Sequence, residues 1–391
     1  MGFRWILLML LAVVALLAAL FLLPKRKATE QGRVVSVGEA LGGTPGEGFA
    51  RAEAPRRFTF PADHGPHPGF RTEWWYFTGN LKTAQGQSFG YQLTFFRVAL
   101  KPGPVARSSR WGASEVFMAH FAVTDVAGKR FHYAERFSRS ALGLAGAGGR
   151  PLAVRLEDWS ALETAAEPWG MQLAARDGDV ALDLNVLAIT PVVLNGEGGL
   201  SRKGSASGNA SYYYSIPRME TSGTIRIGKE TFSVSGLTWL DREWSTSALE
   251  ADQAGWDWFA LQLDDGRDLM FYRMRRVDGS ADKFSSGTLV AADGTSRHLA
   301  GAEVQLAIDD WWTSPASGSR YPARWRLRVP AEGLDLEIAP RLADQELLAS
   351  VRYWEGAVAI RGISAGSPGG SGYLEMTGYG AKESKGADPR P

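Results

Sequence analysis

Residues 63–81 read Asp-His-Gly-Pro-His-Pro-Gly-Phe-Arg-Thr-Glu-Trp-Trp-Tyr-Phe-Thr-Gly-Asn-Leu, a proline-containing polar loop that leads into a cluster of aromatic residues. A weaker copy of residues 74–81 lies at residues 256–263, with tryptophan, a second aromatic residue, phenylalanine and leucine at matching positions. Each copy then runs through a glycine, Gly86 or Gly266, into an aromatic residue followed by arginine. This repeat predicts one barrel-like domain used twice.

The chain beyond residue 58 consists of short runs in which apolar residues alternate with others. Alternation with period two is typical of β-strands, and the Asp-Gly pairs between runs are typical of hairpin turns. We therefore predict an antiparallel all-β body with two lipocalin-like barrels in tandem. The N-terminal domain is placed at residues 58–235 and the C-terminal domain at residues 236–380, because Gly236 opens a new aromatic-rich segment.

The residues before this body predict a membrane anchor and a linker. Residues 5–23 are an unbroken apolar run, which as a helix spans about 28 Å, close to the thickness of the hydrocarbon core. We predict an N-terminal membrane anchor over residues 1–27, with one transmembrane helix at 5–23, and a flexible tether over residues 28–57. The polar tail at residues 381–391 is predicted to be disordered.

Composition narrows the classes of partner. The formal net charge is +1 with both signs interspersed, so the chain has no basic field for a phosphate backbone and we predict no nucleic-acid partner. The absence of cysteine excludes disulfides and thiolate metal sites, and no cofactor is predicted. The 14 tryptophans indicate either a cavity walled by flat apolar rings or an aromatic-rich barrel core.

His64 and His67 have a spacing that metal sites use, with carboxylates nearby in sequence. Pro66 and Pro68 exclude a regular helix, so the two rings should diverge and we predict no metal site. We expect these histidines to belong to a rim loop at the mouth of a barrel, where they also become candidates for ligand contact.

Ionisable residues among large rings are the candidates for catalysis. Burial raises the pKa of a carboxyl and a guanidinium lowers it, so two acids in opposed environments can supply one protonated and one ionised group. The predicted catalytic residues are Asp241, Glu243 and Arg242. The alternative is a structural arginine–carboxylate pair that closes the barrel end. The remaining candidates for a ligand-binding wall are Glu73, Trp74, Trp75, Trp239, Trp244, Trp256 and Trp258.

Five strings, at residues 63–81, 118–125, 239–244, 353–356 and 372–379, together resemble the AttH/CrtC lipocalin-like family. Members of this family are described as predicted secreted hydrolases or carotenoid 1,2-hydratases. The resemblance implies two lipocalin-like barrels packed together, an exported or membrane-associated location and, for many bacterial members, a neighbouring ABC transporter permease. With the predicted anchor, we expect a periplasmic body tethered to the membrane, and such a permease is a candidate partner.

The resemblance also implies a chemistry, because the hydratase members add water to an isolated double bond of an acyclic carotenoid. Asp241 and Trp244 match their pattern, while Arg242 and Arg273 stand near positions where that pattern has histidine and Tyr-x-Asp. The leading hypothesis is a membrane-anchored, exported protein that binds a long apolar ligand, a lipid or an isoprenoid. The alternatives are a hydratase or hydrolase acting on an isoprenoid, and an accessory subunit of an ABC-type export system.

Overall fold

The computed structural model describes residues 48–103, 109, 111–247 and 249–380. The predicted transmembrane helix at 5–23 and the tail at 381–391 lie outside these residues, so both stay predictions. In the described part of the chain, no helix combines the length and apolarity needed to cross a membrane. Residues 48–57 of the predicted tether are in contact with the body, since Ala52 is buried and the amide of Ala50 donates to the carbonyl of Gly69.

The first of two sheets contains the strands from Thr72 to Ser245. They are β1 Thr72–Lys82, β2 Ser88–Ala99, β3 Glu115–Asp125, β4 Arg130–Arg139, β5 Ala145–Gly148, β6 Ala153–Leu156, β7 Trp159–Ala166, β8 Trp169–Asp177, β9 Val180–Ala188, β10 Val193–Leu194, β11 Leu200–Arg202, β12 Ala210–Ile227 and β13 Glu230–Ser245. Their order is β4-β3-β2-β1-β13-β12-β9-β8-β7-β6-β5, with β10 and β11 also paired to β12. Because β3 and β4 contact β5 and β6, the two ends of the sheet meet and the sheet is curled.

The second sheet is also antiparallel. Its strands are β14 Gln253–Leu263, β15 Asp268–Arg276, β16 Ser286–Val290, β17 Ser296–Ala300, β18 Gln305–Thr313, β19 Arg320–Val329, β20 Leu334–Pro340, β21 Glu346–Leu348, β22 Arg352–Gly362 and β23 Gly370–Thr377. Their order is β17-β16-β15-β14-β23-β22-β20-β19-β18, with β21 paired to β22. The helical elements in the described residues are short 3-10 turns at Ala62–His64, Gly301–Glu303 and Pro330–Glu332.

The strand order of the two sheets shows the repeat directly. In each sheet the first four strands form a meander, β1 to β4 or β14 to β17. The last strand of the sheet, β13 or β23, then returns to pair with the first. The prediction of an all-β body built from two barrel-like antiparallel units is confirmed in this form, as two curled sheets with matching topology.

The change from one sheet to the other falls after Ser245, within residues 246–252. The predicted boundary at 235/236 lies inside β13, which pairs with both β1 and β12 of the first sheet. The aromatic-rich segment after Gly236 is therefore the closing strand of the first unit. A closing strand comes last in the sequence of its sheet and pairs with the first strand. Its local sequence pattern nevertheless resembles that of a strand that opens a new domain.

Alternation along the strands fills the interior of each sheet with apolar side chains. Trp75 and Phe77 of β1 belong to the core of the first unit, while Phe259 and Leu261 of β14 belong to the core of the second. Full burial of each such side chain stabilises the fold by about 1.5–3 kcal/mol. The opposite face of β1 and β14 is turned toward the other sheet, where further buried clusters join the two units.

A close approach between the sheets occurs at Gly90 of β2. A Cβ atom placed on Gly90 would lie 2.6 Å from the Cβ of Ala357 in β22, closer than any normal contact. We expect Gly90→Ala to lower the free energy of unfolding by about 1–3 kcal/mol, because the sheets must separate. Gly146→Ala is the matched control, since that glycine faces open space in β5 and its effect should stay within about 0.5 kcal/mol. Urea unfolding measures both, and equal effects would show that this contact is unimportant.

Candidate functional site

A cavity of about 130 Å³ lies between the two sheets, outside both cores. The period of two explains which residues reach it. Trp74 and Tyr76 of β1 line the cavity, whereas the intervening Trp75 points into the core of the first unit. In the same way Trp256 and Trp258 of β14 line it from the second sheet.

The repeat places equivalent residues on the two walls. Trp74 aligns with Trp256 in the repeat, and both line the cavity. Phe96 is the β2 partner of Trp74, and Met274 is the β15 partner of Trp256. These two partners line the cavity as well. The duplication has therefore assembled one shared site from corresponding faces of its two copies.

The same equivalence puts one carboxyl on each wall. Asp241 of β13 is the register partner of Tyr76, and Glu375 of β23 is the register partner of Trp258. Since Tyr76 and Trp258 align in the repeat, the two acids occupy equivalent positions on the closing strands. Both line the cavity.

Asp241 is only 3% exposed and is held by three donors. Its carboxyl accepts hydrogen bonds from Ser215 Oγ at 2.5 Å, Trp239 Nε1 at 2.7 Å and Tyr213 Oη at 2.7 Å. Burial raises the pKa of Asp241 to about 7, and the three hydrogen bonds oppose that rise. Near neutral pH this carboxyl is therefore divided between its protonated and ionised forms, which suits a proton donor.

Glu243 lines the same wall but is committed to an ion pair. Its carboxyl lies 3.2 Å from Lys203 Nζ and also accepts a hydrogen bond from Ser211. Burial would lower the pKa of Lys203, but the charge and hydrogen bond of Glu243, together with Tyr272 and Asp241, outweigh burial and the pKa is raised. The ammonium group also lies 3.9 Å from the centre of the Tyr272 ring. Of the two predicted acids, Asp241 is thus the better proton donor.

Glu375 was not among the predicted site residues. It accepts a hydrogen bond from Trp256 Nε1 at 2.7 Å. Burial raises its pKa to about 7, and the charges of Glu243 and Asp241 add to that rise. Glu375 is identified by its register with Trp258 on the neighbouring strand. This register can be assigned only when the closing strands of both copies are known.

Arg242 points away from Asp241 and Glu243, because successive residues of a strand face opposite sides. Its guanidinium is completely buried, 3.2 Å from Glu73 and 4.0 Å from the ring centre of Trp75. Burial favours the neutral acid at Glu73, yet the charge of Arg242, together with the hydrogen bond of His67 and the charge of Arg97, lowers the pKa of that carboxyl to about 2. A buried arginine–carboxylate pair is the structural alternative considered from the sequence.

The histidines of the rim loop are packed against aromatic rings beside that pair. The ring of His64 stacks on Trp169 at 4.0 Å and its Nδ1 lies 2.6 Å from Tyr214 Oη. His67 stacks on Trp244 at 3.6 Å. Burial and the nearby charge of Arg242 lower the pKa of His64 to about 3, so it is neutral at physiological pH.

Several predicted ligand-binding residues thus lie away from the cavity. Those that do not line it are His64, His67, Glu73, Trp75, Trp239 and Trp244. Trp239 is still connected to it through its hydrogen bond to Asp241. Those that line it are Trp74, Trp256 and Trp258, together with Asp241 and Glu243. Across the residues that the structure describes, no cluster of three histidines or acids is arranged to hold a metal ion.

The sequence profile of the AttH-like family matches residues 51–379, which confirms the resemblance found in the sequence. The crystal structure of an AttH from Nitrosomonas europaea is 35% identical and superposes with a TM-score of 0.76, covering 85% of this chain and 100% of that one.

Kievitone hydratase from Fusarium solani subsp. phaseoli is 24% identical over 198 residues, or 48% of this chain and 54% of that protein. The sequence match therefore spans about half the length of this relative. The crystal structure of kievitone hydratase from Nectria haematococca shares the fold, with a TM-score of 0.64 at 16% identity over 85% of this chain and 97% of that one.

Proposed function

This chain belongs to the AttH-like family, and from that premise we propose that it is a hydratase, which adds water across a carbon–carbon double bond of an apolar, isoprenoid-type ligand. The observation that carries the proposal is a buried carboxyl, Asp241, whose pKa of about 7 suits a proton donor, in the wall of an aromatic cavity. The similarity to kievitone hydratase supports this class of reaction.

The reaction consists of two steps at the double bond. The proton of Asp241 adds to the less substituted carbon, the π electrons form the new C–H bond, and a cation remains on the more substituted carbon. A water oxygen then bonds to that cation and loses one proton. Faces of aromatic rings attract cations, so the rings of Trp74, Trp256 and Trp258 in the cavity wall favour the cationic intermediate.

The size of the cavity fits the reacting end of such a ligand. One water molecule needs about 10–15 Å³ of cavity volume measured in this way, so 130 Å³ holds on the order of ten non-hydrogen atoms. Burial contributes about 0.8 kcal/mol per methylene, and association costs roughly 4–15 kcal/mol. Ten buried carbons, or two five-carbon isoprene units, contribute about 8 kcal/mol, which offsets the lower part of that range of cost. A longer ligand would extend beyond the cavity.

The test is to incubate the purified protein in H₂¹⁸O with apolar compounds that end in a trisubstituted alkene, because protonation of that group yields a tertiary cation. We expect at least one compound to gain the mass of one H₂¹⁸O, with the label on the more substituted carbon. The saturated analogue of each compound is the control and should remain unchanged. Absence of labelled product from every alkene that quenches the protein's tryptophan fluorescence would contradict the proposal.

The second candidate function is binding and carriage of an apolar ligand without reaction. The observation that favours it is the wall of the cavity, which includes Trp74, Phe96, Leu249, Trp256 and Met274. The same experiment separates the two functions. Under carriage, mass spectrometry recovers a bound lipid or isoprenoid unchanged from the purified protein and detects no hydrated product.

A further inference from the structure

We propose that Glu375 is the second catalytic carboxyl of this cavity, the base that takes a proton from the attacking water after Asp241 has protonated the double bond. The inference rests on the proposed hydratase function and extends it to a residue on the opposite sheet. Asp241 lines the cavity from β13 of the first sheet and Glu375 lines it from β23 of the second. A ligand in the cavity thus has one acid on each side.

The hydrogen bonds of the two carboxyls suit two different roles. Asp241 accepts from three donors, so its position is closely defined. In the described part of the chain, Trp256 is the one hydrogen-bond donor to Glu375, and it binds Oε1. Oε2 of Glu375 therefore keeps its lone pairs for a water molecule, which a base that activates water requires.

The other acids near the cavity do not suit the role of base. Glu243 is held in its ion pair with Lys203. Glu355 of β22 is fully buried, does not line the cavity, and accepts a hydrogen bond from Tyr76. Burial and the charge of Glu375 raise the pKa of Glu355 well above its ordinary value, so Glu355 stays protonated and cannot accept a proton.

The charge of Asp241 adds to the rise in the pKa of Glu375, so the charges of the cluster disfavour a state in which both carboxyls are ionised. Carboxylates in a common low-dielectric site repel one another, so ionising both is costly beside the ionised Glu243. The resulting state, with one acid protonated and the other ionised, is the one that acid–base hydration needs. It is most populated near the pH at which the two groups titrate.

Every proton is accounted for over one turnover. Asp241 loses its proton to the alkene carbon, water supplies the new hydroxyl oxygen and one proton, and that proton goes to Glu375. The product is the ligand plus one H₂O, with no net change in charge. The site is restored when the proton of Glu375 returns to Asp241 through water that enters as the product leaves.

The test compares pH–rate profiles of the wild type, Glu375→Gln and Asp241→Asn, with an alkene that the wild type hydrates. The wild type should show a bell-shaped profile, because the rate rises as the base ionises and falls as the acid ionises. Glu375→Gln should lower kcat at least about 100-fold, leave KM within about threefold, and abolish the rise on the acid side. Glu355→Gln is the matched control and should keep the bell, since it replaces a buried carboxyl that is already neutral.

Two outcomes would overturn the role of Glu375 but not the hydratase proposal. Either the Glu375→Gln variant keeps the wild-type kcat, or it keeps the rise in rate on the acid side. The hydratase proposal would then still stand on the wild-type product and the loss in Asp241→Asn. If Glu375→Gln does not melt cooperatively, Glu375→Asp replaces it, because this variant keeps a carboxyl but withdraws it from the water. Glu375→Asp should retain the acid-side rise at a reduced kcat, and wild-type kcat in this variant would overturn the inference.

Discussion

Asp241→Asn is expected to lower the kcat of hydration by about 10²–10⁴-fold while KM stays close to that of the wild type. Asparagine retains the shape, and its Oδ1 can still accept hydrogen bonds from Ser215 and Trp239, while its amide nitrogen can donate to Tyr213 Oη; it has no acidic proton to transfer. In the wild type the rate should fall as pH rises through about 7, because the pKa of Asp241 lies there and only the protonated form donates. Steady-state kinetics across pH measure both effects.

The control for Asp241→Asn is Asp309→Asn, which makes the same chemical change at an exposed position of β18. It should leave kcat and the pH profile unaltered. Thermal melting of both variants separates loss of the proton donor from loss of the fold. A folded Asp241→Asn variant with wild-type kcat would remove Asp241 from the mechanism.

Arg242→Leu is expected to lower the free energy of unfolding by about 3–5 kcal/mol, because it leaves the carboxylate of Glu73 buried with part of its partners removed. Arg242 also donates to the carbonyls of Trp74 at 2.6 Å and Gly65 at 2.7 Å, and these would lose a donor. The measurement is urea unfolding at neutral pH. An effect below about 1 kcal/mol would show that the pair does not stabilise the first unit.

Two further measurements test the same assignment. Adding Glu73→Leu to Arg242→Leu should recover part of the lost stability, because the double variant has no isolated carboxylate at this position. The pKa of Glu73 falls from an ordinary value of 4.5 to about 2 in the folded protein. Its contribution is therefore present above about pH 4.5 and is lost as pH falls toward 2. The acid-dependent loss of stability should be smaller in Arg242→Leu than in the wild type.

The duplication explains why the cavity lies between the sheets and not inside one of them. Each curled sheet fills its own interior with apolar side chains, and the cavity is lined by residues outside these two cores. The outward faces of β1 and β14 carry tryptophans that one copy could bury only by packing against another. The two copies bury these faces together and leave the cavity of about 130 Å³ at their junction.

The site shows where sequence patterns are sufficient and where they are not. The position of Asp241 and Glu243 among tryptophans predicts that they lie at the site, and both line the cavity. Arg242 is adjacent to both acids in sequence, but a strand turns adjacent residues to opposite faces, and Arg242 does not line the cavity. Trp74 and Trp75 are divided for the same reason. The period of two, applied to each motif, predicts from the sequence alone that these neighbouring residues face opposite sides of the sheet.

The membrane anchor, the exported location and the permease partner stay predictions, because they depend on residues 1–47 and on a second protein.

The amino-acid sequence by itself determined the β-strands and the repeat, since alternation and aromatic spacing are local properties of the chain. Only the tertiary structure decided which faces of the two copies meet, and so placed Asp241 and Glu375 in the wall of the same cavity. These two acids are 134 positions apart in sequence, the difference between 375 and 241. Their proximity depends on each closing strand returning to the first strand of its sheet and on the two sheets packing face to face, which no local pattern encodes.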